Sequence, residues 1–183
     1  ITRRKTRQIQ VGKVKVGGDA PVSVQSMCST DTRDTVATIE QIRQLEAAGC
    51  EVIRVAVPDD EAAAVLSKIK AAMTVPLIAD IHFDHRLALK AAETVDCVRI
   101  NPGNIGAWWK VEEVIKAVND HGIPIRVGVN GGSLERDLLD KYGWPSPEAL
   151  AESALNAVHA LEDVGFTNMK VSLKASDVHH AID

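Results

Sequence analysis

The stretch VPLIADIHF, residues 75–83, is the clearest copy of a strand type that recurs along the chain. It is short, rich in aliphatic and β-branched residues, and carries polar side chains at alternate positions near its end. Four further stretches share the pattern: VIRVAV at 52–57, VRINPG at 98–103, IRVGVN at 125–130 and MKVSLK at 169–174. The recurrence predicts a sheet built from copies of one unit.

Side chains two positions apart on a strand point to the same face. The groups that share a face by this parity are Arg54 with Ala56, Asp80 with His82, Arg99 with Asn101, Arg126 with Asn130, and Lys170 with Ser172 and Lys174. Five strands therefore send charged or amide side chains to what we expect to be one shared face. Because a buried charge is costly unless it is paired, this face is predicted to be a wet, charged site.

Six strand-like stretches, beginning with residues 21–27, alternate with helical patterns, and a hairpin at 8–11 and 14–16 precedes them. This alternation predicts a parallel sheet with helices outside it. Strands of a doubly wound sheet are almost continuously apolar, whereas these alternate, which is typical of a (β/α)8 TIM barrel with its chemistry at the C-terminal ends of the strands. We predict one α/β domain over residues 1–183, a TIM-barrel type truncated to about six β/α units and belonging to a longer protein.

Composition narrows the possible function classes. The net charge is −4 and aromatic residues make up 3% of the chain, which argues against nucleic-acid binding. No apolar stretch reaches the roughly 18 residues that a membrane helix needs, and no signal peptide is visible, so a cytoplasmic location without membrane contact is expected. The three cysteines form no Cys-x-x-Cys pair and are predicted to be packed thiols. The basic stretch at residues 2–7 is expected to be a solvated arm, with phosphate or partner contact as the alternative.

Cationic residues dominate the predicted shared face. They are Arg54, Arg99, Arg126, Lys170 and Lys174, within a chain of net negative charge. Guanidinium groups bind phosphate oxygens through paired hydrogen bonds, which favours a ligand with two phosphates. The alternative is pairing with internal carboxylates, but Asp80 is the one inward carboxylate found on the strands. Asp80 and His82 could orient a substrate hydroxyl or move a proton, whereas the remaining histidines, His85 among them, are expected at the surface or in loops.

Seven motifs follow one another along the chain. They are VQSM (24–27), IRV (53–55), PLIADIHF (76–83), RINPGNIG (99–106), PIRVGVN (124–130), GSLE (132–135) and KVSLKASDV (170–178). By these motifs the sequence resembles the bacterial 4-hydroxy-3-methylbut-2-enyl diphosphate synthase family, which serves the methylerythritol phosphate pathway of isoprenoid biosynthesis. Motifs of this length in this order are highly specific, and the resemblance runs from about Arg4 to Val178.

The resemblance implies an iron–sulfur oxidoreductase. The family reductively opens the ring of 2-C-methyl-D-erythritol 2,4-cyclodiphosphate to give 4-hydroxy-3-methylbut-2-enyl diphosphate, with two electrons passing through a 4Fe–4S cluster from ferredoxin or flavodoxin. By position, the residues implied to grip the diphosphate are Arg54, Arg99, Arg126 and Lys174, and those implied to shape the rest of the pocket are Asn101, Asn130, Asp80 and His82. Asp80 and His82 are the catalytic candidates.

The family holds its cluster with three cysteines and a glutamate of a C-terminal domain, for which this chain has no matching motif. No metal ligand is therefore predicted in this chain, which is expected to bind substrate but not to turn it over alone. The resemblance also implies a homodimer in which the cluster domain of one subunit closes over the barrel of the other. Two alternatives stand beside this interpretation: a dihydropteroate-synthase-like transferase barrel, which would bind a pterin, and a non-catalytic substrate-binding or assembly module.

Overall fold

The N-terminal hairpin is present where the sequence predicts it. The computed structural model describes residues 5–182, so the first part of the basic stretch lies outside the described residues. Strands β1 Ile9–Val11 and β2 Val14–Val16 pair antiparallel. The turn between them passes through Gly12 at φ +53, a left-handed conformation that glycine adopts without steric cost.

Within the described range, a sheet of six strands follows the hairpin. Its strands are β3 Gln25–Met27, β4 Val52–Ala56, β5 Leu77–Asp80, β6 Cys97–Ile100, β7 Ile125–Asn130 and β8 Met169–Lys174. They lie in chain order and every neighbouring pair is parallel. The sheet curls into part of a barrel, so the predicted TIM-barrel type with about six units and an N-terminal hairpin is confirmed.

Helices connect the strands of the sheet. Their bounds are α1 Thr35–Ala47, α2 Asp60–Ala64, α3 Leu66–Ala71, α4 His85–Ala92, α5 Pro102–Ile105, α6 Trp108–Asp120, α7 Arg136–Tyr142, α8 Pro147–Asp163 and α9 Val178–Ile182, with a 3-10 turn at Gly131–Ser133. Side-chain oxygens cap several N-termini, as where Asp34 accepts from the amide of Ala37 and Ser146 from that of Ala149. Among the helices of residues 5–182, none is long and apolar enough to cross a membrane.

The outer face of the sheet forms the main hydrophobic core. Ile53 of β4 and Val98 of β6 are fully buried there, together with Leu66 of α3, Val114 of α6 and Leu161 of α8. Burial of an aliphatic side chain of this size stabilises the fold by about 1.5–3 kcal/mol. The helices therefore hold the sheet from outside and leave its inner face free for other groups.

The hairpin covers one end of that inner face. Ile9 and Val11 pack with Val52, Ile78 and Cys97 in a second, smaller apolar cluster. Val52 and Cys97 begin their strands, so this cluster lies at the N-terminal end of the sheet. Charged residues further along the same strands are consequently confined to the C-terminal part of the inner face, where TIM-barrel sites lie.

Strand β3 is shorter than predicted, since it spans 25–27 and not 21–27. Val22 and Val24 ahead of it are exposed. The carboxylate of Glu51 accepts a hydrogen bond from the amide of Val24 at 2.7 Å. A side chain thus takes the place of a backbone partner, and the regular ladder begins only after this contact.

Candidate anion-binding site

A row of charged residues crosses the inner face of the sheet. The strand register pairs Asp80 with Arg99, Arg99 with Arg126, and Arg126 with Lys170. Residues paired in this way lie side by side on the same face. Four neighbouring strands therefore contribute one carboxylate and three cations to what we call the charged row: Asp80, Arg99, Arg126 and Lys170.

Asp80 and Arg99 form a buried ion pair within this row. Nη1 of Arg99 lies 2.9 Å from Oδ1 of Asp80, and the two side chains are 7% and 4% exposed, respectively. Nη2 of Arg99 also donates to the carbonyl oxygen of Gly128 at 3.3 Å. Because both partners come from rigid strands, the guanidinium is held from two sides. A buried charge pair with added hydrogen bonds avoids most of the desolvation cost of a lone buried charge.

Arg54 approaches the same carboxylate from β4. Its Nε lies 3.5 Å from Oδ2 of Asp80, and its Nη2 contacts the thioether sulfur of Met27 at 3.1 Å, a weak acceptor. Within residues 5–182, the buried Nε atoms of Arg54 and Arg99 have no hydrogen-bond acceptor. Each of the two guanidinium groups beside Asp80 thus contains a buried N–H without an acceptor among the described residues, so their positive charge is only partly compensated.

Arg126 is held by neutral groups. Its Nη1 donates to Oε1 of Gln25 at 2.9 Å and its Nε donates to Oγ of Ser172 at 3.1 Å. Burial lowers the pKa of Arg126, and repulsion from Arg54 adds to the effect. Among the described residues, no carboxylate forms an ion pair with Arg126.

Lys170 follows the same electrostatic pattern. Burial lowers the pKa of its ammonium, and Arg126 and Arg54 lower it further by repulsion. No carboxylate of the described range pairs with it. Arg54, Arg99, Arg126 and Lys170 therefore share one paired carboxylate, Asp80, and the surplus positive charge favours an anionic ligand.

His82 lies beside Asp80 but not on its strand. Strand β5 ends at Asp80, so the prediction that the strand continues through His82 is wrong. The imidazole ring of His82 nonetheless lies near the inner face, with Nε2 3.5 Å from Oδ2 of Asp80. The side chain of His82 is 49% exposed. A half-exposed imidazole beside a buried carboxylate is placed to exchange protons with solvent.

The side chain of Asn101 forms hydrogen bonds that hold the loop following β6. Its Nδ2 donates to Oγ of Ser133 at 2.9 Å, and its Oδ1 accepts from the amide of Gly103 at 3.2 Å. The side chain is 2% exposed. These contacts turn the chain directly after β6, which ends at Ile100. Ser133 thereby joins the loops that follow two neighbouring strands.

Asn130 and Lys174 lie on the inner face nearer to the C-terminal ends of their strands than the charged row does. They pair with each other, four residues beyond the Arg126–Lys170 pair on the same strands. Four strand residues correspond to about 13 Å. Asn130 and Lys174 line a cavity of about 560 Å³ together with Trp144 and His180, which we call the rim cavity. The predicted diphosphate residues thus occupy two levels of the inner face.

The contacts of three residues of the site were not predicted from the sequence. Gln25 lies within a quoted motif, but neither its parity nor its contact with Arg126 was predicted. Ser172 was placed on the correct face without a partner. Gly128 shares the parity of Arg126 and Asn130, and that parity was the available signal.

His85 is buried, contrary to the prediction of a surface or loop residue. It begins α4, and its Nε2 lies 3.1 Å from Oε2 of Glu113 on α6. Its ring meets that of Trp109 edge-on at 5.3 Å between centroids. The residue therefore joins two helices on the outer side of the sheet.

The cysteines are free, buried thiols. Cys28 and Cys50 belong to the main core, whereas Cys97 belongs to the cluster around the hairpin. In the part of the chain that the structure describes, no three His, Cys, Asp or Glu side chains are grouped so that they could hold a metal ion.

Solved structures that resemble this chain share its fold. Dihydropteroate synthase from Yersinia pestis matches with a TM-score of 0.64 and 10% identity, over 96% of this chain and 72% of that one. A phospho-2-dehydro-3-deoxyheptonate aldolase from Thermotoga maritima matches with a TM-score of 0.61 and 13% identity, over 94% of this chain and 48% of that one. At such identities the likeness concerns the fold alone.

Sequence relatives are far more similar. A protein of Geobacter sulfurreducens named 4-hydroxy-3-methylbut-2-en-1-yl diphosphate synthase (flavodoxin) is 60% identical over 177 residues, covering 96% of this chain and 50% of the relative. A protein of the same name from Pseudomonas syringae pv. syringae is 58% identical over 183 residues. The chain spans about half the length of the curated relatives it matches. The family model described as the GcpE TIM-barrel domain matches residues 6–183. Together with the barrel architecture and the charged row, this match shows that the chain belongs to the GcpE family.

Proposed function

We propose that this chain is the substrate-binding barrel of a flavodoxin-dependent 4-hydroxy-3-methylbut-2-enyl diphosphate synthase. The whole protein would reductively open the ring of 2-C-methyl-D-erythritol 2,4-cyclodiphosphate in isoprenoid biosynthesis. The observation that carries the proposal is the surplus of guanidinium and ammonium groups around Asp80. The names of the relatives supply the reaction and the electron donor.

The charged row would bind the diphosphate end of the substrate. The guanidinium groups of Arg54 and Arg99 would attract phosphate oxygens from one side, and Arg126 would do so from the next strand. Charge-assisted hydrogen bonds of this kind contribute about 1.5–3 kcal/mol each. Asp80 keeps two guanidinium groups together that would otherwise repel each other, so the site needs little rearrangement when the ligand arrives.

Asn130 and Lys174 would act at a second level. They line the rim cavity above the charged row, where they would contact the part of the substrate farther from the sheet. His82 would remain at the solvent side of Asp80 and could hold or deliver a proton there. Asn101 would act indirectly, because both ends of its amide already bind protein groups.

The implied 4Fe–4S cluster does not fit the described residues. Such clusters are usually held by about four cysteine thiolates, whereas the thiols of this chain are divided between two apolar clusters, with Cys28 and Cys50 in the main core and Cys97 beside the hairpin. The part of this chain would be to bind and orient the cyclodiphosphate, and catalytic turnover, the homodimer and the cytoplasmic location stay expectations.

The alternative function, a dihydropteroate-synthase-like transferase, has the support of fold alone. The solved synthases of that kind are at most 15% identical among those compared, whereas diphosphate synthases are 56–60% identical. A pterin would also use little of the positive charge that the inner face offers.

Calorimetric titration tests the proposed function. The 183-residue chain is titrated with the cyclodiphosphate, with inorganic diphosphate and with a pterin that carries no phosphate. We expect saturable binding of both diphosphates and none of the pterin. Arg126→Ala should weaken binding about tenfold or more, whereas Arg43→Ala, on the exposed face of α1, should not. Absence of diphosphate binding by a folded chain would contradict the proposal.

A further inference from the structure

Gly128 lies where the charged row meets the backbone of β7. It is buried, and the strand register pairs it with Ser172 on the inner face. A Cβ atom built on Gly128 would lie 2.2 Å from Nε, 2.5 Å from Nη2 and 2.7 Å from Cζ of Arg99. The guanidinium of Arg99 therefore occupies the space that any other residue at position 128 would need.

The backbone itself does not require glycine at this position. Residues with φ in the left-handed region favour glycine, but Gly128 is absent from the glycines that have positive φ among the described residues. It continues a regular ladder between β7 and β8. In the interior of a strand, glycine costs conformational entropy without a side chain that packs. The close approach of Arg99 is the remaining reason for a glycine here.

Arg99 cannot easily move away from such a side chain. Nη1 is bound to Asp80 on β5 and Nη2 to the carbonyl of Gly128 on β7. The neighbouring strands leave Arg99 as a whole 6% exposed. Any displacement of the guanidinium would break its buried ion pair with Asp80. It would also move the guanidinium away from β7, into the space in front of the inner face.

We propose that Gly128 is a positioning residue of the anion site: its missing side chain lets the Arg99 guanidinium lie against β7, where Asp80 and the carbonyl oxygen of Gly128 hold it in the charged row. That the ligand is a diphosphate rests on the proposed function. The role of Gly128 requires only that the ligand is an anion. A methyl group at position 128 would tilt Arg99 into the place of the bound phosphate. Gly128→Ala would then weaken anion binding through Arg99, with the backbone unchanged.

The first experiment measures inorganic diphosphate binding by calorimetry in a double-mutant cycle. Gly128→Ala should weaken binding about tenfold, the effect of one charge-assisted contact. In an Arg99→Ala background, the same substitution should change binding less than about twofold, because the group that it displaces is gone. Equal binding by Gly128→Ala and the unaltered chain, or an equal loss in both backgrounds, would overturn the proposal.

Gly165 supplies the matched control. It follows α8 at φ +79, and a Cβ atom there would meet nothing within 4 Å. Gly165→Ala should therefore lower the thermal midpoint through backbone strain and leave diphosphate binding unchanged. If Gly128→Ala does not fold, Arg99→Ala/Gly128→Ala decides: recovery of folding supports the clash, and failure to fold refutes it.

A spectroscopic measurement separates this proposal from the proposed function. The Nε–H resonance of Arg99 reports the place of the guanidinium without any ligand. Gly128→Ala should shift it and speed its hydrogen exchange, while Gly165→Ala should not. If the unaltered chain binds no diphosphate but Gly128→Ala shifts this resonance, the proposed function is refuted and the positioning of Arg99 by Gly128 stands. An unshifted resonance would refute that role.

Discussion

Arg126 donates a hydrogen bond from Nη1 to Oε1 of Gln25 at 2.9 Å, although 101 positions separate the two residues in the sequence. Gln25 lies on β3 and Arg126 on β7, with β4, β5 and β6 between them in the sheet. A flat sheet would hold these strands about 19 Å apart. The bond therefore spans the inner face and shows how strongly the sheet curls. It also holds a cation of the charged row with a neutral acceptor, which leaves the positive charge uncompensated.

Gln25→Glu should convert the anion site into an internal ion pair. The new carboxylate would replace the amide oxygen beside Arg126 and neutralise part of the surplus charge. We expect a higher thermal midpoint together with diphosphate binding weakened about tenfold or more. Calorimetry and thermal unfolding measure the two effects. Arg126→Ala should also lose binding but without the gain in stability, and unchanged binding by Gln25→Glu would show that Arg126 does not contact the ligand.

Asp80→Asn should destabilise the fold and sensitise it to phosphate. Removing one partner of a buried ion pair costs about 3–5 kcal/mol, because Arg99 keeps its charge in a site of low exposure. Added inorganic phosphate should restore stability more in the variant than in the unaltered chain, since an anion takes over the role of the carboxylate. Urea unfolding with and without phosphate measures both quantities.

Asp31→Asn is the control for this experiment. Asp31 pairs with Arg33 at the surface, where both side chains are about half exposed, and such pairs contribute little that is measurable. Its variant should keep the stability of the unaltered chain and its response to phosphate. A phosphate response as large in Asp31→Asn as in Asp80→Asn would argue against the buried pair as the source.

Val11→Ala should loosen the hairpin from the sheet. Val11 is fully buried against Val52 and Ile78, so the loss of two methyl groups should cost about 2 kcal/mol. Lys15→Ala, on the exposed side of β2, should leave the free energy of unfolding almost unchanged. Denaturant titration measures both variants. Equal stability of Val11→Ala and the unaltered chain would mean that the hairpin does not seal the sheet.

The thiols of Cys28 and Cys97 should stay protonated and unreactive at neutral pH. Burial raises the pKa of Cys97 to about 12, and burial together with Cys50 raises that of Cys28 to about 11. A thiol reagent at pH 8 should therefore react with these two thiols only after unfolding. The same shifts make stability fall as pH rises above about 9, where unfolded thiols ionise and folded ones do not.

Cys97→Ala checks the pH dependence. The variant loses some packing at all pH values, but its free energy of unfolding should fall less steeply between pH 9 and pH 11 than that of the unaltered chain. Urea unfolding at several pH values gives both slopes. Identical slopes would show that Cys97 does not contribute to the alkaline loss of stability.

Strand parity alone predicted which side chains share the inner face. Arg99, Arg126 and Lys170 are placed side by side by the register, as the period of two requires. The strand boundaries were less predictable. The chain leaves β5 after Asp80, because the ladder depends on neighbouring strands and not on local composition, and the sequence pattern of His82 gives no sign of this.

Contacts across the sheet were beyond the reach of sequence reasoning. The bond between Gln25 and Arg126 depends on how far the sheet curls, which no local pattern encodes. The separation of the site into two levels was equally hard to predict. Parity groups Lys174 with Lys170, but parity does not say how far along the strand a ligand extends. The burial of His85 likewise depends on Glu113, which belongs to another helix.

The apolar cluster under the charged row has a consequence for the dielectric environment of the site. Ile9, Val11 and Val52 keep water from the N-terminal side of Arg54 and Arg99, so the electric field of these two cations passes through a medium of low polarisability. Attraction between unit charges grows as the effective dielectric constant falls, and mobile ions screen such sites less than surface charges. The hairpin therefore lowers the effective dielectric constant around these cations. Anion affinity here should decline with added salt far less steeply than at an exposed cluster of equal charge.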